Sequence, residues 1–335
     1  MAVALSILDL APIAPGRSAR ESLAASVELA RAAERSGYRR VWYAEHHNMP
    51  TIASSATSVV IGHIAEHTDS IRLGAGGIML PNHSPLIIAE QFGTLETLFP
   101  GRIDLGLGRA PGTDRNTMLA IRRDPNSAEA FPQDVLELQG YLRGESTVPG
   151  VQAVPRAIGE IPLYILGSSL FGAQLAARLG LPYAFASHFA PASLHEAVAA
   201  YKHQFEPSEQ LDRPYLIAGL NVFAAEEHEE AEAQRTIAFR NRARAFVKRG
   251  TSGPDFSDEE IDRFLASPGG EQLAAMAKYT AVGTPEAVGA YLSEFAEATG
   301  ADELITVHYT EETADRIDSI ELTAKAFAAT AATRA

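Results

Sequence analysis

A strand-then-helix rhythm repeated along the chain constrains this sequence more than any other feature. It opens with the apolar run VALSILDL (3–10), which predicts a strand, and SARESLAASVELARAAERSG (18–37), which predicts an amphipathic helix. Ser18 is placed to cap that helix, Glu21 stands three residues on to complete a capping box, and Gly37 can end it. RRVWYAE (39–45) reads as a strand, residues 53–68 as a helix, IRLGAGGIML (71–80) as a strand, residues 84–99 as a helix with Pro85 in its first turn, and RIDLGLG (102–108) as a fourth strand. Residues 110–160 loosen into helices near 112–122 and 131–143 and a Pro/Gly-rich stretch, read as an insertion. Strands then return at 161–167, 182–187, 215–225 and 303–309, with helices at 169–180, 192–205, 226–250 and 284–300 and a last one from about 311. The 226–250 helix is acidic at its start and basic at its end, as the helix dipole favours. A second irregular insertion is expected over 251–270.

Eight strands alternating with helices imply right-handed crossovers and a parallel sheet. In one chain of 335 residues they predict a (β/α)8 barrel with insertions after strands 4 and 7, residues 1–335 forming a single domain. A doubly wound open sheet is the alternative. It needs a glycine-rich fingerprint after the first strand, where residues 11–17 are instead broken by prolines.

A barrel places its chemistry at the C-terminal ends of its strands, which filters the candidates. Strand 2 ends in Glu45, His46 and His47, three ionisable groups in a row. Adjacent histidines on a strand point to opposite faces, so His46 and His47 are poorly spaced for one metal ion, and HExxH is absent. A neutral imidazole working as a proton donor or acceptor is the favoured reading, with backbone pairing of these side chains as the bland one. Strand 3 carries Gly74, Gly76 and Gly77, which means either crowding inside the barrel or close approach of a flat ligand. Strand 4 ends near Arg109 and strand 5 at Ser168 and Ser169, whose hydroxyls and following N–H groups form a plausible anion cradle or an ordinary helix cap. One arginine and one Gly/Ser turn fit a single phosphate monoester. Asp9, Ser187, His188 and His308 also lie at strand ends, while His83 is expected as a solvated loop residue.

Composition narrows the function classes. A net charge of −14 argues against nucleic acid and anionic membrane as partners. The absence of cysteine removes disulfides, thiolate catalysis and cysteine-ligated metals. The N-terminal segment lacks a basic region before its apolar stretch, and no apolar run approaches about 20 residues, so a cytoplasmic protein without a membrane span is expected.

The segments YAEHH, LGAGGIMLPNHSPLIIAEQFGTLETLFPGRIDLGLGRAPGTD and LGSSLFGAQLAARLGLPYAFASHF together resemble the bacterial-luciferase-like flavin-dependent monooxygenases, within them the subgroup carrying GLGRAPGTD and ASHFAP. The resemblance covers nearly the whole chain. It implies a TIM barrel that binds reduced FMN delivered by a flavin reductase, with O2 reacting at the flavin C4a to give a peroxide that oxygenates an aldehyde, ketone or other small organic substrate. It maps the acid/base residue to His46, a non-proline cis peptide under the flavin to Gly76–Gly77, an acidic residue on the third helix to Glu90, and the phosphate site to Arg109, Ser168, Ser169 and Gly172. It implies a homodimer; the residue spacing above leads to the expectation of no metal. The chain departs from the luciferases in having Gly108 where they carry a reactive cysteine, so light emission does not follow. The family also contains F420-dependent dehydrogenases and reductases, which makes F420 the alternative cofactor, and a non-catalytic flavin-binding protein is a third reading.

Overall fold

Side-chain alternation along each strand decides what fills this molecule. The structure is a computed structural model, and it describes residues 3–110, 114–124, 126–248 and 256–334, the side chains beyond 330 excepted. In chain order the elements are β1 (Ala4–Asp9), α1 (Ala19–Arg35), β2 (Arg40–Tyr43), α2 (Thr57–Ala65), β3 (Arg72–Met79), α3 (Pro85–Leu98), β4 (Ile103–Gly108), α4 (Arg115–Ala120) and α5 (Phe131–Arg143). They continue with β5 (Leu163–Gly167), α6 (Leu170–Arg178), β6 (Tyr183–Phe185), α7 (Leu194–Gln204), β7 (Leu216–Ala224), α8 (His228–Lys248), α9 (Asp258–Leu265), α10 (Pro268–Met276), β8 (Thr280–Gly283), α11 (Pro285–Thr299), β9 (Glu303–His308) and α12 (Thr313–Arg334). Every pairing between these strands is parallel, in the order β6-β5-β4-β3-β2-β1-β9-β7-β8, and a β6–β7 pairing closes the ring. Eight strands therefore form the predicted (β/α)8 barrel.

The strand missed by sequence is β8. It is four residues long, follows an Ala-rich helical stretch, and pairs with Asn221–Ala224 on the upper part of β7. β6 pairs only with the lower part, up to Ala218. The barrel wall thus splits above β6, and Asn221 sits at the split, donating from Nδ2 to the His188 carbonyl (2.8 Å) and to Thr280 Oγ1 (3.3 Å). The irregular insertion expected over 251–270 is also corrected. From Ser257 onward it is helical, because Ser257 and Glu260 form a capping box that starts α9 and Ser267 caps α10. Residues 251–255 lie outside the described residues.

Two apolar layers follow from the period of two along each strand. Outward residues such as Val41 and Tyr43 pack with the helices, while Leu8, Trp42, Ala44, Tyr164, Ile217 and Ile305 fill the barrel. The strands' N-terminal ends carry a charged plug. Arg40, 1% exposed, donates to Asp104 Oδ2 (2.7 Å) and the Tyr164 hydroxyl (2.6 Å) and pairs with Glu303 (2.9 Å). The neighbouring carboxylates outweigh burial and raise the Arg40 pKa. Gly74 and Gly76 make room for this filling. A Cβ at Gly74 would meet Asp104 at 2.6 Å, and one at Gly76 would meet Leu8 and Trp42 at 2.8 Å. Among the described residues no helix is long and apolar enough to cross a membrane.

Candidate active site

The alternation that puts Arg40, Trp42 and Ala44 inside the barrel carries on past the end of β2. It turns His46 toward the mouth and Glu45 away. A cleft of about 2260 Å³ opens at the strands' C-terminal ends, and His46, Gly76, Arg109, Ser168, Ser169 and Gly172 all line it. The peptide between Gly76 and Gly77 is cis. Two of the residues singled out from sequence do not line the cleft. Gly77 faces the β4 backbone, where a Cβ would stand 2.8 Å from the Gly106 carbonyl oxygen. Glu90 lies on α3 and accepts from the Val154 N–H at 3.4 Å, in the segment before β5.

Glu45 is 1% exposed and saturated. It accepts from His47 Nε2 (2.8 Å), His83 Nε2 (2.9 Å), the Met79 N–H (2.9 Å) and Asn82 Nδ2 (3.2 Å). Burial pushes its pKa up, and the hydrogen bond and charge of His83, with the other donors, prevail and hold it below the ordinary value. His83 is thus a buttress for the loop after β3 and not the solvated residue expected. The ligand atoms of Glu45, His47 and His83 come within 4.8 Å of one another, but the carboxylate is occupied by its four donors.

The turn between β5 and α6 has the opposite character. Ser169 stands at the N-cap of α6 with extended backbone, yet its side chain makes no capping hydrogen bond. The first N–H groups of α6 and the Ser169 hydroxyl are therefore available to an anion in the cleft. Gly172 packs on the Tyr183 ring, which a Cβ there would meet at 3.3 Å. Arg109, just past the end of the neighbouring β4, lies over the Phe171 ring at 4.1 Å from its centroid, which holds the guanidinium beside the turn.

On the far side of the cleft lie residues that sequence reading noted only in passing or missed. His188 is 6% exposed, and burial, with the charges of Arg242 and His46, pushes its pKa down to about 3. It is therefore a neutral imidazole within electrostatic reach of His46. Asn221 carried the one available signal, a polar residue inside the apolar run of β7. Asp9 and His308, by contrast, turn outward. Asp9 accepts from Ser26, the Ala11 N–H and Arg316. His308 pairs with Ser319 and Thr306, and burial lowers its pKa to about 3.

The sequence profile of the luciferase-like monooxygenases matches residues 3–303. The chain belongs to that family. A luciferase-like monooxygenase of Escherichia coli (strain K12) is 47% identical over 326 residues, 96% of each chain. The crystal structure of apo-MsnO8 superposes with a TM-score of 0.86 at 36% identity, covering 97% of this chain and 98% of that one. More distant relatives inform on fold alone. They include the oxygenating constituent of 3,6-diketocamphane monooxygenase from a Pseudomonas putida plasmid in complex with FMN (TM-score 0.74, 17% identity, 98% of each chain). They also include an F420-dependent secondary alcohol dehydrogenase with an F420–acetone adduct (TM-score 0.71, 15% identity, 97% of this chain and 99% of that one). As a luciferase-like monooxygenase the protein is an oxidoreductase, and the cleft at the mouth of its barrel is where that chemistry belongs.

Proposed function

We propose that the protein is a monooxygenase that uses reduced FMN and O2 to oxygenate a small organic substrate, with a separate flavin reductase supplying the reduced FMN and the working form a homodimer. The observation that carries this reading is the unengaged helix start at Ser169 with Arg109 beside it, a cradle sized for one phosphate monoester, on the same cleft as His46. Reduced FMN, when bound, supplies the two electrons with which one atom of O2 enters the substrate and the other leaves as water.

In this reading Arg109, Ser168, Ser169 and the α6 N–H groups bind the phosphate. Gly76 leaves the barrel floor flat where a ring system would rest. Leu8, Trp42, Leu166 and Ile305 exclude water around the reacting atoms. His46 holds and returns a proton at a ring nitrogen. Its surroundings suit that task, since Glu45 is turned away into its own donors and His188 faces it as a neutral group.

The test is incubation with reduced FMN, 18O2 and a panel of aldehydes, ketones and thioethers, followed by mass spectrometry. One 18O atom per product molecule is expected. Tighter binding of F420 than of FMN, with O2-independent substrate oxidation, would replace this reading with the F420-dependent one.

A further inference from the structure

The helix α8 carries four arginines, Arg235, Arg240, Arg242 and Arg244. Three have carboxylate partners: Arg235 pairs with Glu232 (2.7 Å), Arg240 with Asp262 (2.8 Å) and Arg244 with Asp258. Arg242 has no ion pair among the described residues. It is also half-buried, lines the cleft, and its charge acts on both His188 and Tyr309. The carboxylates nearest the mouth are committed elsewhere. Glu311 holds Asn241, Glu312 holds Arg17, and Asp9 holds Arg316. A half-buried guanidinium on the cleft wall with no counter-ion leaves its charge free to pair with an anion that enters the cleft.

The phosphate cradle lies at the β4 and β5 rim, whereas Arg242 faces the ends of β6 and β9. Two arginines on separate parts of one rim, neither with a carboxylate partner among the described residues, offer places for two anions. Asn221 adds a second observation on the same side. It is 2% exposed, lines the cleft, and its Oδ1 has no hydrogen-bond partner. A buried acceptor takes an N–H or O–H of a ligand and not its carboxylate, so Asn221 marks this side as a polar contact point apart from the anion itself.

We propose that Arg242 is the specificity residue for a carboxylate on the substrate, so that the protein oxygenates small organic acids whose apolar tail reaches past Trp42 toward His46. This rests on the monooxygenase reading for the chemistry but not for the binding. The planar guanidinium can hold a carboxylate through two parallel N–H donors. The sequence gives the same residue a bland role, since the basic end of α8 complements the helix dipole. Only the pairing of its neighbours separates Arg242 from them.

The experiment compares three acids of different tail shape, decanoate, 4-phenylbutyrate and N-acetyl-S-benzylcysteine, each with its methyl ester. Binding is measured by calorimetry and turnover with reduced FMN, using wild type, Arg242→Met and Arg242→Lys. At least one acid should bind about 10- to 100-fold tighter than its ester in the wild type. Arg242→Met should remove that preference by weakening the acid alone, Arg242→Lys should restore part of it, and FMN affinity should stay unchanged in both. Equal affinity for every acid and its ester, including undetectable binding of both, overturns the proposal. A loss of FMN affinity in Arg242→Met, with riboflavin affinity unchanged, also overturns it by giving Arg242 to the cofactor phosphate. Acid binding that depends on Arg242 without oxygenated product leaves the anchor standing and removes the monooxygenase reading. Product from acid and ester at equal KM does the reverse.

Discussion

The two ends of this barrel treat arginine in opposite ways. At the closed end Arg40 is withdrawn from water and bracketed by Asp104 and Glu303, with Tyr164 completing its donors. At the open end Arg109 and Arg242 have no carboxylate partner among the described residues, and each faces the cleft. The same side chain serves structure where its charge is balanced internally, and the proposed recognition falls where it is not. The contrast extends to serines. Ser18 caps α1 through a full capping box, whereas Ser169 occupies an N-cap without using it.

The comparison breaks most visibly in stability. Arg40→Met leaves the buried Glu303 without its counter-ion and Asp104 with Arg72 alone, and is expected to cost about 3–5 kcal/mol in urea unfolding. Arg242→Met is expected to change stability by less than about 0.5 kcal/mol, because no partner is orphaned. Similar losses from both would erase the distinction between the two ends.

Acid sharpens the account next. His188 and His308 are held neutral by burial, which pushes their pKa values down to about 3 from the ordinary 6.5. The unfolded chain binds these protons first, so the stability they report is complete above pH 6.5 and is lost as pH falls toward 3. The loss should approach about 1.4 kcal/mol per pH unit for each histidine in that window. Unfolding measured from pH 7 to pH 4 checks it, and His308→Asn should flatten the slope. A stability that is constant over that range would show that neither ring is buried neutral.

The caps give the smallest expected difference. Ser18→Ala should cost about 1 kcal/mol, as loss of a working N-cap does. Ser169→Ala should cost less than about 0.5 kcal/mol, since its hydroxyl makes no capping bond. Equal costs in thermal unfolding would mean that Ser169 serves the helix after all.

Much of this was legible in the sequence, and the misses have physical causes. The barrel was readable because its strands and helices differ in period, and His46 because alternation from Trp42 carries through Ala44. β8 was hidden because four residues are too few to show a period. α9 was overlooked although Ser257 and Glu260 carry the capping-box spacing that was recognised at Ser18 and Glu21. Glu90 was placed by resemblance alone, and no local pattern could say which face of α3 it occupies. Arg242 could not be singled out, because Arg240, Arg242 and Arg244 differ only in which carboxylates the fold brings to them. His83 looked like a loop residue because its partner Glu45 is distant in sequence.

The central claim is that the uncompensated groups at the open end hold the phosphate of a flavin mononucleotide. It is tested most directly by equilibrium titration with oxidised FMN and with riboflavin, which differ only in that phosphate, in wild type and in an Arg109→Gln, Ser169→Ala double variant. The account predicts FMN binding at least about 30-fold tighter than riboflavin in the wild type and near-equal affinities in the variant. Equal affinities in the wild type, or a preference for FMN that survives the double substitution, would contradict it.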